Sequence, residues 1–180
     1  TASALADVPG PGGTYGDAIR WYARAAEAGS ARAQYLLGVK YETGVDVDRD
    51  LDKALAWYRK AAEQDYAEAQ FKLGVMHEQG RGMPQDLAAA VSWYLAAARN
   101  GLPAAQYNLG VALLNGSGVA PDPVEAFAWV LVAAGGGLGE AARLRDQLLT
   151  ALPTDIVNLA LSRSRAIKAG LPGGSGAGNP

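Results

Sequence analysis

The chain predicts an all-α fold, an α-solenoid of antiparallel helix pairs, and three observations carry that expectation. Its four tryptophans, Trp21, Trp57, Trp93 and Trp129, each stand 36 residues after the last. A second block keeps the same period: ARAQYLLG at 31–38, AEAQFKLG at 67–74 and PAAQYNLG at 103–110. In both blocks apolar residues recur at helical spacing, as in Ala54, Trp57, Tyr58, Ala61 and Ala62. Self-similarity at a period of about 20–50 residues marks stacked supersecondary units that bury their faces against one another.

The elements follow in order. A Gly/Pro-rich leader, residues 1–13, is expected to be mobile. The array then occupies 14–150: a leading helix at 14–29 capped by Thr14, repeats at 31–66, 67–102 and 103–138, and a partial repeat at 139–150. In each repeat the first helix carries small and large residues on one stripe (Ala33, Leu37, Gly38, Tyr41), so that a second backbone can approach. Gly44, Gly80 and Gly116 end these first helices in the left-handed conformation. Asp50, Asp86 and Asp122 open the second helices as N-caps, with Pro123 at the first helical position of the third copy. Gly29, Gly101 and Gly137 close the Trp helices, where the second copy has Asp65. A capping helix at 151–168, apolar at Ile156, Leu159, Ala160 and Ile167, covers the last stripe, and 169–180 forms a mobile tail. The periodic tryptophans are expected in the core, with Trp57→Ala and Trp93→Ala each costing about 3–5 kcal/mol.

Composition narrows the function. The 180 residues are 49% hydrophobic, enough for a buried core, with 18 acidic and 16 basic side chains and a formal charge of -2. The charges are interspersed, so no basic face suits a phosphate backbone and nucleic acid is not an expected partner. Zero cysteines exclude disulfides and thiolate chemistry but leave the redox compartment open. The uncharged apolar stretch 126–139 is shorter than the roughly 20 residues a membrane-spanning helix needs. The small-x-small sequence Ala4–Leu5–Ala6 has the form of a signal-peptidase site, or is an ordinary Ala-rich leader.

No motif carries chemistry. AAGGGLGEAA at 133–142 follows a helix instead of a strand and coincides with an inter-helix turn, so it is not a phosphate loop. NGSG at 115–118 lacks the first glycine of a nucleophile elbow. His77 is the only histidine and replaces Tyr41 and Leu113 of the other copies, which marks a packing or rim position. Asp46, Asp48 and Asp50 lack the spacing of a calcium loop, and no S-x-x-K occurs. No catalytic residue, metal site or cofactor is expected.

The A-x-A-Q-[YF]-x-L-G block followed by the D-x-x-x-A-x-x-W-Y-x-x-A-A block resembles the Sel1-like repeat, a relative of the tetratricopeptide repeat, over residues 14–150. The resemblance implies a right-handed solenoid with a concave surface that binds a protein or peptide, in non-enzymatic adaptors that in bacteria often work in the periplasm or at the envelope. Several relatives carry a disulfide in each repeat, which this chain cannot. Within that frame a second row on the first helices, Tyr35, Val39 and Glu42; Phe71, Val75 and Glu78; Tyr107, Val111 and Asn115, is expected to face the groove, edged by Arg32, Glu68 and Gln79. The alternative is that this row packs between repeats. Rival functions are a structural subunit docking through the C-terminal helices and the apolar AFAWVLVAA, and a cell-envelope hydrolase or β-lactam-binding protein. Localisation is expected to be periplasmic or otherwise exported, with a cytoplasmic site as the alternative; oligomeric state is open.

Overall fold

The computed structural model describes residues 15–173, with side chains from Ile19 onward. Thr14, the leader, its possible cleavage site and the last seven residues therefore lie outside the described residues, as does the side chain of Ala18. Among the described residues there are nine helices and no strand: α1 (Tyr15–Glu27), α2 (Ala31–Thr43), α3 (Leu51–Ala62), α4 (Ala67–Gln79), α5 (Leu87–Arg99), α6 (Pro103–Asn115), α7 (Pro123–Gly135), α8 (Gly139–Ala151) and α9 (Thr154–Gly170). They form two compact units, 1–69 and 70–180, with the boundary inside α4.

The helix ends follow the expected capping chemistry. Asp50, Asp86 and Asp122 are extended N-caps whose Oδ1 accepts the amides of Lys53, Ala89 and Glu125, each at 2.9 Å. Ser30, not anticipated, caps α2. Gly44, Gly80 and Gly116 have positive φ, and so do Gly29, Gly101 and Gly137; Asp65 adopts the same left-handed turn at φ 59. Asp46 is left-handed too, and its carboxylate pairs with Lys40.

In unit one, α1 packs on α2 through Ile19, Ala23 and Ala26 against Ala33 and Leu37. Helix α3 then lies on α2. In unit two, α5, α6 and α7 surround a core of Tyr94, Leu109, Phe127 and Val130, and α9 closes it by packing on α7. Ala160 and Ile167 enter that core, whereas Leu159 is 57% exposed, because it lies on the outer side of α9. The AFAWVLVAA stretch is largely interior: Ala126 to Val130 are all buried, covered by α6 and α9.

The tryptophans correct one expectation. Trp129 is buried, Trp57 and Trp93 are half-buried, and Trp21 is 46% exposed. The fully enclosed aromatics are Phe127 and the residues that follow Trp57 and Trp93, Tyr58 and Tyr94. Two adjacent helical residues point about 100° apart, so only one of them can aim at the partner helix; Tyr takes that direction. Trp57 instead lies along the hairpin with Lys60 Nζ 4.1 Å from its ring centroid. Trp57→Ala is accordingly expected to cost about 2 kcal/mol, half the earlier figure. A urea-unfolding loss as large as that of Tyr58→Ala would refute this ordering.

Candidate functional site

The repeat closes around a glycine. A Cβ added at Gly38 would lie 2.6 Å from the Tyr58 ring, at Gly74 2.6 Å from the Tyr94 ring, and at Gly110 2.8 Å from Val130 Cγ2. The small residue lets the large one of the next helix lie against bare backbone. The tyrosine hydroxyl then reaches past the glycine to an acid one turn on. Tyr58 donates to Glu42 Oε2 at 2.6 Å, and Tyr94 to Glu78 Oε2 at 2.9 Å. In the third copy both partners change together, to Val130 and Leu114. Burial and the bond to Glu78 push the Tyr94 phenol above its usual range, partly offset by a hydrogen bond from Asn108.

A second polar device is the buried glutamine of each A-x-A-Q block, whose role the sequence did not reveal. Gln34 Nε2 donates to the Ala26 carbonyl at 3.0 Å and Gln106 Nε2 to the Ala98 carbonyl at 3.2 Å. Their acceptor side is used as well: Gln64 donates to Gln34 Oε1 at 2.8 Å and Asn100 to Gln70 Oε1 at 2.9 Å. An interior amide left unpaired is costly, so these bonds tie α2 to α1 and to the turn after α3, and, within unit two, α4 and α6 to the end of α5.

The expected partner-binding row falls partly in each unit. In unit one Tyr35 and Val39 are half-buried, and Arg32 and Glu68 are exposed. The Tyr35 ring stands 5.7 Å from Tyr58 and 5.4 Å from Tyr66, centroid to centroid. Burial first, then the nearby Glu68 carboxylate, raises the phenols of both Tyr35 and Tyr66. Glu42, read as a rim group, is only 6% exposed; as the acceptor of Tyr58 it is part of the hairpin's interior and not a rim contact. In unit two Phe71, Val75, Tyr107 and Val111 are half-buried, with Glu78, Gln79 and Asn115 exposed beside them. Phe71 stacks at 5.7 Å on Tyr94. Tyr35, Phe71 and Val75 thus pack on their inner edges and keep an outer edge in solvent, and Tyr107 and Val111 are half-buried.

His77, set aside as a packing position, is half-buried, and among the described residues its Nδ1 has no hydrogen-bond partner. Asp50 serves as a cap and ion-pairs with Lys53 at 3.1 Å. No group of His, Asp and Glu among the described residues could hold a metal ion. None of the described helices is long and apolar enough to cross a membrane.

Paired helices repeated at a fixed period, locked by glycine–aromatic contacts and buried glutamines, define an α-solenoid repeat protein. The Sel1 repeat family model matches residues 15–30, 31–66, 67–102 and 103–138, and the chain belongs to that family. Its fold commonly mediates protein–protein interaction. Among solved structures it is similar to a Sel1 repeat protein from Oxalobacter formigenes, with 36% identity over 72% of this chain and 98% of that one, at a TM-score of 0.70. It is also similar to c5321, described as a protective antigen present in uropathogenic Escherichia coli strains displaying an SLR fold: 28% identity, TM-score 0.55, covering 84% of this chain but only 40% of that one. Helicobacter pylori cysteine rich protein B shares the fold at 21% identity and a TM-score of 0.57, over 74% and 98% of the two chains. No curated protein matches significantly.

Proposed function

We propose that this chain is a non-enzymatic adaptor that binds a segment of a partner protein along the second row of its first helices. The observation that supports this reading is the two-sided placement of the row. Phe71 and Val75 keep an apolar edge in solvent while their inner edges pack on the core, Tyr107 and Val111 are half-buried, and exposed Gln79 and Asn115 stand beside them. Apolar anchors fixed from behind and bordered by polar groups lose little entropy on binding. Unit one offers its own patch in Tyr35 and Val39 with Arg32 and Glu68. The likeness to a protective antigen favours an exported or envelope assembly as the setting.

The test is affinity capture from the source cells with the native chain and a variant carrying Arg32→Glu, Gln79→Arg and Asn115→Arg. Glu78 is kept because it holds Tyr94. All three changed side chains are exposed, so the variant is expected to match the native helical signal and melting curve. A partner retained by the native chain and depleted at least tenfold by the variant supports the adaptor; equal retention refutes the row as its interface.

A further inference from the structure

A cleft of about 290 Å³ lies among α5, α7 and α9 of unit two, and its lining includes no residue of the α4 and α6 row. Leu95, Trp129, Ile167 and Leu171 give it apolar walls. Glu125 is already engaged there: it accepts Arg163 Nε at 2.7 Å and Nη2 at 3.2 Å, and Trp129 Nε1 at 3.0 Å. Arg99 faces the same cleft, is exposed, and among the described residues has no ion pair or hydrogen bond. Among the lining residues two guanidinium groups stand against one carboxylate, and Arg99 is the one that Glu125 does not engage.

We infer that this cleft binds the carboxy-terminal residue of a partner polypeptide that ends in an apolar side chain. The side chain lies on Leu95, Trp129 and Leu171, and the terminal carboxylate pairs with Arg99. Size and charge both select this occupant. The volume admits one large side chain with its carboxylate and is too small for a helix or a strand. A single planar guanidinium beside an apolar floor matches a residue that carries its charge and its apolar body on one Cα, as only a chain terminus does. An internal Asp or Glu brings the charge without the apolar anchor. This site is independent of the row proposed above.

The experiment uses the full ¹⁵N-labelled chain titrated with the peptide acetyl-Gly-Ser-Leu as its free acid and as its amide. The Trp129 indole N–H signal and the amides of Leu95 and Leu171 are expected to shift saturably with the acid. The amide form, and the acid with the Arg99→Gln variant, are expected to bind about tenfold more weakly, the loss of one charge-assisted pair. Arg99 is exposed in the last turn of α5, and the variant's own spectrum reports that it is folded. Equal binding of acid and amide, an Arg99→Gln variant that binds like the native chain, or no saturable shift would each overturn the inference. Shifts confined to Val75 and Val111 would also overturn it, placing the peptide on the α4 and α6 row.

Discussion

Replacing Tyr94 by alanine is expected to cost about 3–5 kcal/mol of stability, because a ring that is 1% exposed leaves a cavity against Gly74 and Phe71 in the main core. Tyr58→Ala is expected to behave alike in unit one, where the ring is fully buried. Removing only the hydroxyl separates the two. Tyr58→Phe withdraws a donor from Glu42, a carboxylate that is 6% exposed, and is expected to cost about 2 kcal/mol or more. Tyr94→Phe withdraws one from Glu78, which is exposed and can turn to water, at a cost of about 1 kcal/mol or less. Urea unfolding of the four variants checks the order, and a Tyr94→Phe loss exceeding that of Tyr58→Phe would contradict it.

The second large effect comes from adding atoms. Gly74→Ala puts a methyl 2.6 Å from two Tyr94 ring carbons and 3.3 Å from the Ala90 carbonyl oxygen. Although alanine is the better helix former, the overlap is expected to dominate and destabilise the chain by about 2–3 kcal/mol. The pair should be strongly coupled. In the Gly74→Ala/Tyr94→Leu double variant the methyl meets a smaller neighbour, and the combined loss is expected to fall at least ~1 kcal/mol short of the sum of the singles. Additive losses would mean that Gly74 matters for some reason other than its fit to Tyr94.

Much of this architecture was legible in the sequence, and the failures have physical causes. Period, helix pairing, aspartate caps and left-handed glycines are local properties that depend on a few neighbouring residues, so they could be read directly. The choice between Trp and Tyr for the core could not: both repeat every 36 residues, and the rotation that aims one of them inward is set by packing between helices. The clue was the glycine that accompanies each buried partner at Gly38, Gly74 and Gly110. Glu42 was misplaced because a carboxylate at the end of an apolar row reads as solvated. Its burial shows in the sequence only as the joint replacement of tyrosine and glutamate by the apolar pair Val130 and Leu114 in the third copy. Leu159 was misassigned because a capping helix has no successor to fix which of its apolar residues turn inward.

The buried glutamines bear on how such a chain finds its own order. Near-identical hairpins can pair with the wrong neighbour or slip by one turn while keeping most of their oily contacts, and tandem arrays are prone to that kind of misassembly. Gln34 and Gln106 reach a carbonyl eight residues earlier, and Gln34 and Gln70 receive a side-chain amide thirty residues later. A slipped or swapped hairpin strands these buried amide groups without their partners. Four hydrogen bonds therefore act as a proofreading step in assembly, penalising the mispaired array where hydrophobic burial alone is nearly blind to the error.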